Sequence, residues 1–185
     1  MVVIAIHLMP THTHTWHGRP DESKKPEFAR YVVRNAEWGV VSAYSPKYQQ
    51  PFGTLQSYAD GATGVPYFYI AEWSTTWKDI MWNNTVSFTL SEAESDYCEG
   101  RGLDPMEPVC GRIMLTGVIV PVADPVELAF ARRVVFAKHP AMKKWPKTHT
   151  WRFMKLDLTS VNVLNFYGGI SHVSVREYFG VKLVS

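Results

Sequence analysis

The segment from residue 64 to residue 90 combines three hydrophobic patterns, and each pattern predicts a different element. Residues 65–71, VPYFYIA, are an apolar and aromatic run typical of a strand. Residues 75–83 carry apolar side chains at i, i+3 and i+4, which predicts one buried stripe of a short helix. Residues 85–90 alternate polar and apolar side chains, as a half-buried strand does. The side chains expected to point inward are Trp77, Ile80 and Met81 of the helix and Val86, Phe88 and Leu90 of the second strand.

The same patterns predict elements on both sides of this segment. These elements are a helix over 26–36, strands over 39–44, 52–59, 112–122 and 150–159, an extended stretch over 160–166, and a short helix or turn over 173–179. The strand over 112–122 is apolar on both faces, so we expect it to contact both the barrel interior and a partner. Strands mixed with a few helices, without a βαβ alternation, predict an α+β fold built on an antiparallel barrel.

A further helix has a clear start signal at residue 124. Asp124 is a suitable N-cap, Pro125 fits the first helical position, and Glu127 follows three residues after the cap. The helix is expected to run to about Lys138, because His139-Pro140 stops it. The side chains expected to face the core are Val126, Ala129, Phe130, Val134 and Ala137.

Composition and charge exclude several classes of protein. The chain has 185 residues, enough for one domain with a full core, with 46% hydrophobic and 19% charged residues. The net charge is +2 and no Lys/Arg run exceeds two residues, so we expect no nucleic-acid partner. No apolar stretch approaches 18 residues, so we expect no membrane insertion.

The first 25 residues are expected to form a flexible N-terminal arm, followed by a single domain over 26–185. Val2–Met9 is apolar but has no basic region before it and no convincing cleavage site, so a signal remnant, a tag and a disordered arm all remain open. His12, His14 and His17 follow closely. A solvated linker is the favoured interpretation of these histidines, and a metal site is the alternative.

The two cysteines, Cys98 and Cys110, flank a loop that contains Gly and Pro and lies between predicted elements. No CxxC or Cys/His spacing typical of zinc is present. The spacing favours a disulfide that closes the loop, which would contribute roughly 3 kcal/mol through the unfolded state. Two buried free thiols in a reducing compartment are the alternative.

Six stretches carry a family resemblance over residues 29–185, in a consistent order and spacing. They are AEWGVVSAYS (36–45), GVPYFYIA (64–71), GLDP (102–105), IMLTG (113–117), KHPAMKKWP (138–146) and VLNFYGG (163–169). With them the chain resembles the CREG family of secreted, lysosome-associated glycoproteins, relatives of pyridoxamine-phosphate oxidase. The resemblance implies a split β-barrel of about six mostly antiparallel strands with three to four flanking helices, assembled as a homodimer.

The resemblance also implies a function. It implies no demonstrated catalysis, a role in growth restraint and differentiation, a secreted or endolysosomal location, and for some members binding to the mannose-6-phosphate/insulin-like-growth-factor-II receptor. The sequons typical of the family are replaced by VADPVE, DLTS and FGVK. One acceptor pattern, Asn83-Asn84-Thr85, predicts glycosylation at Asn83, and a helix C-cap is its alternative role.

The strand, short helix and returning strand at 65–90 also resemble the flavin-binding split barrels, in which a Ser-x-Lys before the helix holds the flavin phosphate. The matching residues are Ser74-Thr75-Thr76, so the serine is present and the lysine is absent. By alignment, the oxidases' other two cationic anchors fall at Thr54 and Ala59. A phosphate needs fixed cations or helix N-terminal amides. Three neutral replacements therefore predict no useful flavin binding and no cofactor.

A second obstacle to flavin is implied by the resemblance alone. The loop that matches Asp104, Pro105, Met106 and Glu107 is expected to protrude into the space where the flavin would lie. Lys78, two residues after Thr76, could supply a cation, but a solvated helix lysine is the favoured interpretation.

An oxidoreductase that binds flavin or haem is the alternative function. Haem-degrading split barrels share the strand–helix–strand unit and a glycine-rich turn, which here reads Tyr167-Gly168-Gly169. No GxSxG occurs, and His139, His149 and His172 lie in separate segments without an evident Asp or Ser partner. The sequence therefore predicts a regulatory or receptor-binding protein without catalytic residues.

Overall fold

The computed structural model describes Trp16 and residues 18–182. The segment Val2–Met9 and the histidines His12, His14 and His17 lie outside the described residues. Within the described ranges, no group of three or more His, Cys, Asp or Glu side chains is placed to hold a metal ion. None of the helices there is both long enough and apolar enough to cross a membrane.

Seven antiparallel strands form one sheet in the described part of the chain. They are β1 Trp38–Ser45, β2 Gln50–Ala59, β3 Tyr67–Ala71, β4 Thr85–Ser91, β5 Arg112–Pro121, β6 Trp151–Leu164 and β7 Ser171–Val173. The strand order is β3-β2-β1-β4-β5-β6-β7, and β3 also pairs with β6, which closes the first six strands into a barrel. The predicted split barrel of about six antiparallel strands is confirmed, and β7 is an additional short strand.

The long strand β6 pairs with three other strands, β3, β5 and β7. Its first five residues pair with β3 and residues 161–163 pair with β7, while β5 follows its opposite edge. The register of the β5–β6 ladder shifts between Thr116 and Gly117. A side chain at Gly117 would collide with the backbone carbonyl of Asp157, so the close approach of the two strands requires glycine there.

Five α-helices surround the barrel within the described residues. They are α1 Lys25–Asn35, α2 Thr75–Trp82, α3 Asp96–Glu99, α4 Pro125–Lys138 and α5 Val175–Gly180, with 3₁₀ turns at Glu92–Glu94 and Pro140–Lys144. The side chains of Ser74, Ser95, Asp124 and Ser174 cap the last four helices. The predicted cap at Asp124 is confirmed: its carboxylate accepts a hydrogen bond from the Glu127 amide at 2.7 Å.

The helices α1 and α2 cover opposite ends of the barrel. Phe28 of α1 lies against Gly111, the residue before β5, and Asp79 of α2 accepts a hydrogen bond from Ser45 at the end of β1. Since β1 and β5 both pair antiparallel with β4, the start of β5 and the end of β1 are at opposite ends. We call these the α1 end and the α2 end.

The alternating pattern of β4 correctly predicts its buried residues, and Tyr58, Phe68 and Phe88 form the aromatic centre of the main core. Two other predicted faces are correct only in part. In α2, Ile80 is buried and Trp77 packs against the main core, as expected. Met81 is 50% exposed, because α2 lies across the mouth of the barrel and buries only the side that carries Thr76, Asp79 and Ile80.

The predicted inner face of α4 is correct only in part, because Phe130 and Val134 pack against the second hydrophobic cluster but the other predicted residues do not. The helix buries Ala131 and Val135 fully, whereas Val126 is 79% exposed and Ala129 and Ala137 are also exposed. Apolar residues occur on both sides of this helix, so the periodicity alone did not distinguish the side that packs on the barrel.

Candidate functional site

The barrel is split where β2 and β3 diverge. The ladder between them has only two paired positions, Tyr58 with Phe68 and Ala59 with Tyr67. The rest of β3 pairs with β6 instead. The N-terminal turn of α2 fills the gap, and the predicted phosphate positions Thr54, Ser74 and Thr76 are on the elements that border it.

Hydroxyl groups at this gap hydrogen-bond to one another. The Thr54 Oγ1 and Thr76 Oγ1 atoms are 2.7 Å apart, and the Gln56 side-chain amide donates to Thr76 Oγ1 at 3.1 Å. Ser74 Oγ accepts the Trp77 backbone N–H at 3.1 Å, so its side chain is the N-cap of α2. The structure therefore brings Thr54, Ser74 and Thr76 together as a neutral, hydrogen-bonded cradle, which we call the threonine cradle.

The threonine cradle does not fit a flavin phosphate. In the portion of the chain that the structure describes, no Lys or Arg side chain hydrogen-bonds to Thr54, Ser74 or Thr76. Lys78 is exposed on α2, and Glu72 beside the helix is paired with Arg152. A dianionic group at the cradle would thus meet one helix N-terminus and, among the described residues, no cation that is already hydrogen-bonded to the cradle.

The third predicted anchor position, Ala59, is in a different environment. It is 2% exposed and belongs to a second hydrophobic cluster with Val122, Ala131 and Val135, between the barrel wall and α4. A lysine at residue 59 would have to bury its ammonium group in this apolar contact.

The structure joins Cys98 and Cys110 in a disulfide, with their Cα atoms 5.5 Å apart. The bond closes the loop that contains Asp104, Pro105, Met106 and Glu107. Arg112, the first residue of β5, donates hydrogen bonds to the carbonyl oxygens of Pro105 at 3.0 Å and Met106 at 2.9 Å.

The position of the Asp104–Glu107 loop decides whether it can occupy the flavin space of its own chain, as predicted. Arg112 pairs with Leu164 at the last residue of β6, whereas the turn into α2 lies beside Trp151 at its first residue. Fourteen residues of strand span on the order of 40 Å. Within one chain, Asp104–Glu107 is therefore at the α1 end, and the threonine cradle is at the α2 end.

An aromatic slot beside the cradle was missed by the sequence reasoning. A cavity of about 240 Å³ opens between the diverging strands, and its rings include Tyr69, Trp73, Trp145 and Trp151. Tyr69 and Trp151 are stacked at 4.9 Å between ring centroids. The THTW motif at 148–151 and KKWP at 143–146 contain two of these tryptophans, and only the fold shows that they lie together.

The α1 end carries a different kind of site. Glu92 is fully buried and forms a two-pronged ion pair with Arg19, at 2.7 Å to Nε and 3.2 Å to Nη2. It also accepts the Gly111 backbone N–H at 3.2 Å. The Arg19 guanidinium lies 4.2 Å from the ring centre of Tyr97. Trp16 packs against Tyr31, and Glu22 and Lys25 hydrogen-bond to Asn165, so several residues of the predicted N-terminal arm contact the domain.

A second acid at this end is Glu94, which accepts backbone N–H groups of Glu37 at 2.9 Å and Trp38 at 3.4 Å. Burial raises the pKa of Glu94 to about 7. Burial also raises the pKa of Glu92, in spite of its ion pair, and lowers the pKa of the Lys138 ammonium. Lys138 is a neighbour of Glu94 and donates to the Ala36 carbonyl. Glu94 and Lys138 therefore hydrogen-bond to backbone groups of the segment that connects α1 to β1.

The remaining predicted residues are dispersed. Asn83 is the exposed C-cap residue of α2, and its side-chain oxygen accepts the Thr85 N–H at 3.0 Å. His139 is hydrogen-bonded to the Tyr58 carbonyl at 2.8 Å, and burial lowers its pKa. His149 lies beside Trp73 at 5.3 Å, and His172 is exposed on β7.

Comparison with known proteins places this arrangement in a family. The family model described as "CREG, beta-barrel" matches residues 20–180. Protein CREG1 of Gallus gallus is 35% identical over 172 residues, which cover 88% of this chain and 89% of that protein. Protein CREG1 of Homo sapiens is 32% identical, over 89% of this chain and 77% of that protein. Protein CREG2 of Mus musculus is 35% identical over 82% of this chain and 54% of that protein.

Solved structures share the fold at low sequence identity. A haem-binding protein from Mycobacterium smegmatis has a TM-score of 0.70 at 16% identity, over 88% of this chain and 62% of that chain. A putative pyridoxamine 5'-phosphate oxidase from Listeria innocua has a TM-score of 0.52 at 10% identity, over 76% of this chain and 98% of that chain. The fold is that of the pyridoxamine-phosphate-oxidase-like split barrels, and the chain belongs to the CREG family.

Proposed function

We propose that this protein is a non-enzymatic regulatory glycoprotein, secreted or endolysosomal, which acts by binding a cell-surface or sorting receptor. The observation that carries the proposal is the threonine cradle. Where a flavin enzyme needs cations, Thr54 and Thr76 bond to each other. The Gln56 amide also donates to this pair. A flavin phosphate would have to displace these bonds without gaining an ion pair.

Two further observations support a secretory location. The Cys98–Cys110 disulfide is a feature of proteins that mature in an oxidising compartment. Asn83 is exposed at the end of a helix and forms part of the Asn83-Asn84-Thr85 acceptor pattern. Peptide mapping of protein secreted from its native cells, under non-reducing conditions, tests both features. Free thiols at Cys98 and Cys110 in that material would contradict the proposal.

The outer face of β5 supports a homodimer. Met114, Val118 and Val120 lie on this face and are only half-buried in a single chain. Apolar side chains on a barrel wall favour coverage by a second copy. The Asp104–Glu107 loop lies far from the cradle of its own chain, so we propose that it occupies the gap of the partner. Light scattering at micromolar concentration should give twice the mass of one chain, and Val118→Asp should return the monomer mass.

A flavin titration tests the main proposal. Wild type should not bind flavin mononucleotide at micromolar concentration, measured by flavin fluorescence. Thr54→Arg with Thr76→Lys restores two cations, and shortening Asp104–Glu107 removes the proposed obstruction. If both obstacles exist, the double substitution or the shortened loop alone should do little, and their combination should bind. Micromolar binding by wild type would instead favour the oxidoreductase.

The alternative, a flavin- or haem-dependent oxidoreductase, has one specific observation in its favour. His149 lies beside the aromatic slot, with its ring centroid 5.3 Å from that of Trp73 and 6.4 Å from that of Trp151. A histidine beside flat apolar walls is a suitable haem ligand. Titration with haemin should produce no Soret shift in wild type if the regulatory function is correct. A saturable shift that His149→Ala abolishes would support the enzyme instead.

A further inference from the structure

The outer side of α4 carries a groove that neither the fold nor the proposed function requires. Its cavity has a volume of about 580 Å³, and its lining residues include Leu128, Ala129, Phe136, Arg132, Arg133 and Lys143. The volume lies within the range of roughly 300–1,000 Å³ that is typical of small-molecule sites. We call this feature the α4 groove.

The groove follows from the two apolar sides of α4. Ala131 and Val135 face the barrel, while Pro125, Ala129 and Ala137 recur on the outer side at intervals of four and eight residues. Such a stripe runs nearly parallel to the helix axis, and twelve residues of helix span roughly 18 Å. Arg133 lies in the same row between the two alanines, and the lining residues extend along the helix from Pro125 to Ala137, so the groove is elongated.

Three cations border this apolar floor. The Arg132 guanidinium lies over Phe153 at 5.5 Å and that of Arg133 lies over Phe130 at 5.1 Å, so ring contacts hold both near the helix. Among the described residues, no carboxylate forms an ion pair with Arg132, Arg133 or Lys143. The groove therefore combines apolar surface with uncompensated positive charge.

We propose that the α4 groove binds a single-chain anionic amphiphile. Its alkyl chain would lie along the floor between Leu128 and Phe136, and its anionic head would pair with Arg132, Arg133 and Lys143. Charge complementarity distinguishes this occupant from a neutral apolar one, since burial of an alkyl chain alone does not use the cations. The elongated shape favours one chain over a wide, flat surface such as a folded partner.

Isothermal titration calorimetry of the full chain with laurate below its micellar concentration tests the proposal. We expect one saturable site per chain, with affinity that falls as salt rises. Acetate, which has the head without the tail, should not bind measurably. 1-Dodecanol, which has the tail without the charge, should bind at least about fivefold more weakly. Equal affinity for dodecanol and laurate would overturn the assignment of the cations.

Substitutions locate the site. Ala129 is exposed, so Ala129→Trp should fill the groove without changing the core and should abolish laurate binding. Arg132→Gln with Arg133→Gln should weaken binding at least about fivefold, and Arg132→Lys with Arg133→Lys should keep it within about twofold. Laurate binding that survives Ala129→Trp would place the site elsewhere and overturn the proposal.

Lys143 offers a matched control on the same 3₁₀ turn. Lys143→Gln should weaken laurate binding, whereas Lys144→Gln, whose side chain is also exposed but does not line the groove, should leave it unchanged. Equal effects of the two substitutions would indicate a general charge effect and contradict a built site. If wild type fails to bind laurate and Ala129→Trp lowers the mass of the protein in light scattering, the groove is an interface between copies and the proposal is wrong.

Discussion

The two ends of the barrel use polar groups in opposite ways. At the α1 end, Glu92 and Glu94 are withdrawn from solvent and are held by Arg19, Gly111 and the backbone at the start of β1. At the α2 end, hydroxyl and amide groups form the hydrogen bonds of the threonine cradle.

This difference shows that the buried charged groups described above lie at the α1 end and that neutral polar groups form the cradle at the α2 end. Buried charges are costly unless they are paired, and their removal leaves a partner unsatisfied. Neutral hydroxyl pairs are weak and can be replaced together at little cost. We therefore expect substitutions at the α1 end to lower the free energy of unfolding more than substitutions at the α2 end. Four predictions test this contrast, in order of decreasing effect.

The largest effect is expected from Glu92→Ala. The substitution leaves the Arg19 guanidinium and the Gly111 amide without their buried partner, so the free energy of unfolding should fall by about 3–5 kcal/mol. Urea denaturation measures it from the midpoint and slope. Glu99→Ala, at an exposed glutamate in the same loop region, is the matched control and should change stability by less than about 0.5 kcal/mol. Equal effects of the two would show that the buried ion pair of Glu92 contributes no more to stability than an exposed glutamate at the same end.

The next effect is loss of the disulfide. Cys98→Ser with Cys110→Ser opens a loop with a sequence separation of 12 residues, which should lower the free energy of unfolding by about 3 kcal/mol. The same denaturation experiment applies, and wild type with a reducing agent should approach the value of the variant. A midpoint that does not move in either case would show that the loop is held by its other contacts.

A smaller, pH-dependent effect is expected from Glu94. The pKa of Glu94 is about 7 in the folded protein and 4.5 in the unfolded chain. Between pH 4.5 and pH 7 the folded chain therefore binds more protons than the unfolded chain. The stabilising contribution is complete below about pH 4.5 and is lost as pH rises through 7. The free energy of unfolding should therefore increase from pH 8 to pH 5 by roughly 1–2 kcal/mol after allowance for solvent screening.

The Glu94→Gln variant isolates this contribution. Burial lowers the pKa of His139, which opposes the trend by destabilising the fold as the histidine becomes protonated. The difference in stability between wild type and Glu94→Gln cancels the histidine effect. We expect this difference to change in favour of wild type on acidification, and a difference that is constant with pH would show that Glu94 does not titrate in this range.

The smallest effect is expected at the threonine cradle. Thr76→Val alone removes the partner of Thr54 and should cost about 1 kcal/mol. Thr54→Val with Thr76→Val removes both hydroxyls and should cost less than the sum of the two single substitutions. Denaturation of the four proteins in the cycle measures the coupling. If the double variant lowered the free energy of unfolding by more than about 3 kcal/mol, the α2 end would be as sensitive to substitution as the α1 end.

The fold could be predicted from the sequence because its signals are local and agree with one another. The alternation in β4 and the cap at Asp124 depend on neighbouring residues, and both are confirmed. The packed side of α4 was predicted only in part, for Phe130 and Val134, because apolar residues of this helix line two surfaces, the barrel and the α4 groove.

The candidate site was predictable only in part. The structure brings Thr54 of β2 next to Thr76 in the first turn of α2, which Ser74 caps. Their correspondence to a phosphate site stays a prediction. The aromatic slot was missed because Trp145 and Trp151 are separated in sequence from Tyr69 and meet it only when β3 pairs with β6. The Glu92–Arg19 pair was missed for the same reason, since 73 residues separate its partners.

The divergence of β2 from β3 has a consequence for aggregation. Among the strands that the structure describes, none pairs with most of the outer edge of β2, and such an edge is a template for pairing with another chain. Pro51 cannot donate a backbone hydrogen bond, and Gly53 weakens strand formation, so the edge is a poor template over its first half. Leu55, which is 67% exposed, is an apolar side chain on the half of this edge that contains neither proline nor glycine, so we expect association through the edge to involve it.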